Sequence, residues 1–126
     1  MAPLRWSDRL AGQAGHWARQ LAHEGRFAHA DRASRNGSGE NLWMGTAGRY
    51  SPQEMVGRFV EERQYYSAGT FPDVSTTGRW QDVGHYTQIV WRETREVGCA
   101  IASGGGRDVL VSRYWPAGNV IGQRPY

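Results

Sequence analysis

The stretch EVGCAIASGGGRDVLVSRYW, residues 96–115, decides the fold class. Two runs of apolar and β-branched residues, 96–103 and 108–115, flank the consecutive glycines Gly104–Gly106. Glycine adopts positive φ angles at low cost, so the stretch predicts two strands joined in an antiparallel hairpin. A third strand is predicted at 85–91, HYTQIVW, because β-branched and aromatic residues dominate that run.

Two helices are predicted ahead of this sheet. The first begins after Ser7 as its N-cap, carries apolar residues at helical spacing, and ends at Gly25. Its apolar stripe consists of Leu10, Ala14, Trp17, Ala18 and Leu21. The second begins with SPQE, in which Ser51 and Glu54 form a capping box, and is expected to reach about Tyr66. Helices followed by a small antiparallel sheet predict an α+β fold, with the helices packed on the sheet.

The composition is that of a globular chain with a weak positive charge. The 126 residues, 39% of them hydrophobic and 21% charged, fit a single domain, 1–126, that is long enough to bury a core. Net charge is +3, and the 15 basic residues, all Arg, are scattered, so no nucleic acid is expected as a partner. We also expect no transmembrane segment and no signal peptide in this chain. Cys99 is the single cysteine and has no partner for an internal disulfide.

Glu62 is a carboxylate on the apolar face of the second helix. At about 100° per residue, Phe59 lies ~40° from Met55 and Glu62 lies ~20° to the other side. Glu61 falls about 100° further round, on the surface. Burying a lone carboxylate costs several kcal/mol. Glu62 therefore either reaches water at a rim, pairs with an arginine, or projects into a cleft that the helix lines.

Three other polar residues are candidates for a site. His85 follows Gly84 at the start of the predicted third strand, and His29 and Glu40 lie in the polar segment 27–50. That segment is expected to be irregular, with a short helical turn near Glu40. Each of the three also has an ordinary structural interpretation, as a turn or loop residue. Spacing alone does not bring them together.

The same stretches resemble the signatures of the CAP superfamily, which comprises cysteine-rich secretory proteins, insect venom antigen five and plant pathogenesis-related class one proteins. GHYTQIVWRET (84–94) is similar to the first family signature and LVSRYWPAGNV (110–120) to the second. GENLW (39–43) resembles the acidic motif, and GNVIGQRPY (118–126) resembles the tail of the plant members. The resemblance covers nearly the whole chain and implies an α-β-α sandwich with a small antiparallel sheet between helices.

The resemblance also implies a site. In that family two His and two Glu line a surface cleft, and the matching motifs place this tetrad at His29, Glu40, Glu62 and His85. The departures concern cysteines and the N-terminus. Ser112 and Val83 stand where family members carry Cys, and the partner of Cys99 is missing, as in the disulfide-poor prokaryotic members. The family has a further helix ahead of this point, which the domain is expected to lack.

Two imidazoles and two carboxylates in a cleft suit a divalent cation such as zinc, with His29 and His85 as the expected ligands and no organic cofactor. The resemblance favours a binding protein that takes a metal and a sterol or other lipid, located outside the cell or in the periplasm. Two alternatives stay open: a metal-dependent hydrolase using the same tetrad, and a protein-interaction module with a structural tetrad. Four aromatic residues either line an apolar groove or, as the six Trp in 126 residues indicate, mostly build the core: Tyr50, Phe71, Trp80 and Tyr86.

Overall fold

The computed structural model of the protein describes residues 3–126, so the first two residues of the predicted domain lie outside the described part. Helices and strands are interspersed along that part. In chain order the main elements are β1 (Arg5–Trp6), α1 (Asp8–Glu24), β2 (Gly39–Thr46), α2 (Pro52–Glu61), α3 (Gly84–Ile89), β3 (Glu96–Gly104) and β4 (Arg107–Trp115). Short 3₁₀ helices lie at Arg32–Arg35, Glu62–Tyr65 and Trp80–Asp82.

The sheet has four strands in the order β1-β3-β4-β2. The predicted hairpin is confirmed: β3 and β4 pair antiparallel from Glu96↔Trp115 to Gly104↔Arg107, and Gly105 and Gly106 turn the chain with φ angles of 58° and 79°. β2 pairs antiparallel with β4, but β1 pairs parallel with β3. The sheet is therefore mixed rather than purely antiparallel, because a two-residue strand ahead of α1 joins its edge.

Both faces of the sheet are covered by helices. Alternate residues of a strand point to opposite faces, and in β4 this separates Val109 and Val111 from Leu110. The two valines pack with residues of α1 such as Leu21, whereas Leu110 packs with residues of α2 such as Phe59. The predicted α-β-α sandwich is thus confirmed, and burial of each such side chain contributes roughly 1.5–3 kcal/mol.

The helix ends follow the predicted signals. Ser7 caps α1 by accepting the N–H of Leu10, and Gly25 ends it with a φ of 68°. The capping box of α2 is complete, because the Ser51 and Glu54 side chains each accept the other's backbone N–H. The α-helix ends at Glu61 and continues as the 3₁₀ helix to Tyr65, close to the predicted end. No helix in the described part is both long and apolar enough to cross a membrane.

The predicted strand at 85–91 is wrong: residues 84–89 form the short helix α3. Its first free backbone donors, the N–H groups of His85 and Tyr86, are bound by the Glu62 carboxylate. Tyr86 and Thr87 are buried against the surrounding chain. Strand propensity is weaker than such tertiary contacts, so a run of six residues takes the conformation that satisfies them.

The predicted helical turn near Glu40 is also wrong, because Glu40 lies in β2. This strand pairs with β4 along its whole length, with Glu40 opposite Arg113. Residues 39–42 are buried, both those facing α1 and those facing α2. A strand covered on both faces lacks the polar–apolar alternation that identifies a strand in sequence.

Candidate functional site

A cleft of about 610 Å³ opens where β2 begins and β4 has ended. Its walls come from four parts of the chain: the segment after α1, the start of β2, the region around α3, and the segment after β4. The tetrad residues among its lining are His29, Glu40 and His85. The other charged lining residues are Arg32 and Arg35.

Glu40 is the centre of the first histidine–carboxylate pair. Its side chain is fully buried, and its Oε1 accepts hydrogen bonds from Nδ1 of His29 at 2.8 Å and from the N–H of Ala30 at 3.0 Å. Its Oε2 accepts from Nε of Arg113 at 2.8 Å. Burial alone raises the pKa of the Glu40 carboxyl, but the hydrogen bond from His29, the Arg113 charge and the Ala30 N–H outweigh it. The pKa therefore lies below its usual value of 4.5, and Glu40 is ionised at neutral pH.

Glu62 and His85 form the second pair. Oε2 of Glu62 lies 2.7 Å from Nδ1 of His85, while Oε1 accepts the N–H groups of His85 at 2.9 Å and Tyr86 at 3.1 Å. The His85 ring also stacks on Phe59, with centroids 4.7 Å apart and planes 14° from parallel. Glu62, which directly follows α2, thus binds both the backbone N–H and the ring of His85. Within the described residues, Glu62 neither pairs with an arginine nor projects into the cleft itself; it binds His85, which does line the cleft.

The two pairs leave the same nitrogen free on each ring. An ionised carboxylate only accepts hydrogen bonds, so Nδ1 of His29 and of His85 carries the hydrogen, and Nε2 of each neutral ring keeps its lone pair. Glu62 is not part of the cleft wall, since it lies behind His85. Within residues 3–126 no three His, Cys, Asp or Glu side chains are grouped as a metal centre. The arrangement therefore offers imidazole nitrogens, each oriented by a carboxylate, rather than a four-residue cage.

Two residues that support the pairs were not identified from the sequence. Arg113 is 3% exposed and holds Glu40 from the neighbouring strand. Nδ2 of Asn41 donates to the backbone oxygen of His85 and to the hydroxyl of Tyr114, so it links β2 to α3. The sequence contained a signal for the burial of Arg113: it follows Val109 and Val111 at two-residue spacing, so it lies on the same face of β4, toward α1. Nothing comparable distinguished Asn41.

Of the two roles considered for the four aromatic residues, the core role fits most of them. Only Trp80, which is 37% exposed, lines the cleft. Phe71 and Tyr86 are buried in the core, and Tyr50 packs edge-on against Trp43. The cleft is consequently walled mainly by glycines, amides, histidines and arginines.

Ionised Glu40 makes stability depend on pH in the acid range. Because its pKa is lower in the folded than in the unfolded state, its stabilisation is present above the usual carboxyl range and is lost as the pH falls through the folded-state value. We expect Glu40→Gln to show a shallower fall in unfolding free energy between about pH 5 and pH 3 than the parent protein. Urea denaturation across this range measures it, and a fall as steep as that of the parent would contradict the prediction.

The chain is similar in sequence to known proteins. Residues 1–115 match the family described as "CAP: Cysteine-rich secretory protein family". The chain is 38% identical over 125 residues to pathogenesis-related protein 1C of Nicotiana tabacum, covering 98% of this chain and 70% of that protein. It is 32% identical over 139 residues to GLIPR1-like protein 1 of Bos taurus, covering all of this chain and 54% of that protein.

A solved structure has a similar fold. The crystal structure of NaASP2 with Zn²⁺ superposes with a TM-score of 0.80 at 27% sequence identity. The match covers 100% of this chain and 66% of NaASP2, so the chain spans slightly less than two thirds of that protein.

Proposed function

The chain belongs to the cysteine-rich secretory protein (CAP) family, and from this premise we propose that it is a binding protein whose cleft holds a divalent cation through His29 and His85. One observation carries the proposal: each histidine donates its Nδ1 hydrogen to a carboxylate, which leaves Nε2 as the coordinating nitrogen. Zinc is the first cation to test, because imidazole is among its preferred ligands and NaASP2 was solved with it.

The donor set of the cleft fits such an ion. Glu40 and Glu62 orient the rings of His29 and His85, as carboxylates behind metal-binding histidines commonly do. Two imidazoles occupy only part of a tetrahedral coordination shell, so a bound ion would have positions open to water or to a ligand. The chain's own residues supply the orientation, and a ligand in the cleft completes the site.

Zinc titration into metal-stripped protein tests this proposal. We expect micromolar binding to the parent protein and its loss in both His29→Ala and His85→Ala, because each removes one of the two imidazoles. His23→Ala is the matched control, since His23 is exposed and lies away from the cleft. Glu62→Gln keeps the ring but weakens its orientation, and we expect a loss of about 10- to 100-fold in affinity. Binding that survives in either histidine variant would contradict a site shared by the two rings.

A second candidate function is a protein-interaction module in which the pairs only brace the structure. It is favoured by the backbone contacts of the carboxylates, since Glu40 binds the N–H of Ala30 and Glu62 binds those of His85 and Tyr86. In that case the parent protein would bind no zinc, and His85→Ala would only lower stability. A metal-dependent hydrolase using the same cleft would require the bound ion for turnover, so the same preparations, assayed with ester and peptide substrates, test it.

The proposal extends to ligand and location. A lipid would be held through its polar headgroup by the histidines and arginines of the cleft wall, and Trp80 offers an exposed aromatic surface to its apolar part. The secretory character stated in the family's name supports a location outside the cell or in the periplasm.

A further inference from the structure

We infer that the ligand of the cleft carries a phosphate group, bound by the guanidinium groups of Arg32 and Arg35 beside the histidine pair. The inference rests on the proposed binding function and specifies the chemistry of its ligand. It starts from the short 3₁₀ helix Arg32–Arg35, which lies between His29 and the beginning of β2.

The geometry of that helix places both arginines together. A 3₁₀ helix has three residues per turn, so side chains three positions apart lie one above the other on the same face. Arg32 and Arg35 are three positions apart, and both line the cleft. Asn36 ends the helix in the left-handed conformation, with a φ of 51°, and returns the chain toward β2. The two guanidinium groups therefore share one wall of the cavity.

Their charges are not balanced by neighbouring carboxylates. In the described part of the chain, neither Arg32 nor Arg35 forms an ion pair. Nε of Arg35 is buried and has no hydrogen-bond partner, although buried donors are normally satisfied. Glu40, the carboxylate on the cleft wall, is already paired with Arg113 and so does not neutralise them. The cavity wall thus carries two guanidinium charges that no carboxylate of the described chain neutralises.

A phosphate group matches these donors. The guanidinium group presents planar, paired N–H donors that fit phosphate oxygens, and such charge-assisted bonds are stronger than neutral ones. A phosphate has enough oxygens to contact two guanidinium groups and still face the histidine pair. The cavity of about 610 Å³ also leaves room for the molecule that carries it, with Trp80 at the rim to contact an apolar part. The phosphate could belong to a soluble monoester or to a lipid headgroup, which share this chemistry.

Calorimetric titration of metal-stripped protein with glycerol 3-phosphate, and cosedimentation with phosphatidylcholine vesicles containing phosphatidic acid, test the inference and separate the two sources. We expect binding to at least one probe, weakened about tenfold or more in the double variant Arg32→Gln/Arg35→Gln through the loss of two charge-assisted contacts. Arg49→Gln is the matched control: Arg49 is exposed, does not line the cleft, and carries the same charge. It should change affinity less than about twofold, as expected for an uninvolved surface charge.

The outcomes separate this inference from the proposed metal site. If the parent protein binds neither probe, or if the double variant binds as tightly as the parent, the inference is overturned. If zinc does not bind but arginine-dependent phosphate binding persists, the metal proposal fails and the inference stands. Thermal unfolding of each variant checks folding, and the single variant Arg32→Gln, at an exposed position, provides the same test without altering a buried group.

Discussion

Replacing Arg113 by methionine is expected to lower the free energy of unfolding by about 3–5 kcal/mol. Glu40 and Arg113 face each other across β2 and β4 with side chains 0% and 3% exposed. Removing the arginine leaves an ionised carboxylate in the protein interior with only His29 and the Ala30 N–H as partners. The cost arises mainly from that unpaired buried charge, since methionine preserves most of the apolar contact.

Urea denaturation at neutral pH measures the loss of unfolding free energy in Arg113→Met, and a variant that breaks an exposed ion pair is the control. Nη1 of Arg58 lies 3.5 Å from Oε2 of Glu61, and the two side chains are 57% and 61% exposed. Arg58→Met should therefore lower the free energy of unfolding by at most about 1 kcal/mol. The double variant Glu40→Met/Arg113→Met removes both buried charges, and we expect it to recover most of the lost stability. A loss below about 1 kcal/mol in Arg113→Met would show that the pair contributes no more than a surface contact.

Replacing Gly98 by alanine is expected to cost about 3 kcal/mol or more, at the upper end of the range for overpacked cores. Gly98 lies in β3 where α1 crosses the sheet, and a Cβ atom there would lie 2.2 Å from the backbone nitrogen of Ala11 and 2.7 Å from the carbonyl carbon of Leu10. Both atoms belong to a helix backbone, which cannot rotate away as a side chain can. The helix would have to shift from the sheet and loosen the α1 side of the core.

The matched control is the same substitution in a helix with free space around it. Gly57 lies in α2, and a Cβ atom there would meet nothing within 4 Å. Gly57→Ala should therefore stabilise the protein by about 0.5–1 kcal/mol, because alanine loses less backbone entropy on folding. Thermal and urea unfolding of both variants measure the contrast. Equal changes in unfolding free energy for Gly98→Ala and Gly57→Ala would contradict the prediction, because they would show that β3 has room for a Cβ atom beneath α1.

Local sequence features were sufficient to predict those helices and strands whose ends are set by residues close to them in the chain. The hairpin was predictable because only glycine adopts the repeated positive φ of Gly105 and Gly106 without strain. The start of α2 was predictable because Ser51 and Glu54 satisfy each other's backbone donors within one turn. The face on which Glu62 lies was predictable from the period of the helix, although the α-helix itself ends one residue earlier, at Glu61.

The site required more than these local rules. The position of His29 and Glu40 in the cleft followed from the family resemblance, and periodicity alone contained no information about it. The contacts that give the site its geometry join residues far apart in the chain, as in the bonds from Glu62 to His85 and from Arg113 to Glu40. Such long-range pairs arise only when the layers of the sandwich have packed.

The amino-acid sequence by itself thus determined the fold class, the hairpin, the two long helices and the family to which the chain belongs. The tertiary structure alone decided that residues 84–89 are helical and that Glu40 lies in a strand. The physical reason is the same in both cases. These short segments have weak intrinsic preferences, and their conformation is chosen by contacts that satisfy buried backbone groups and charges.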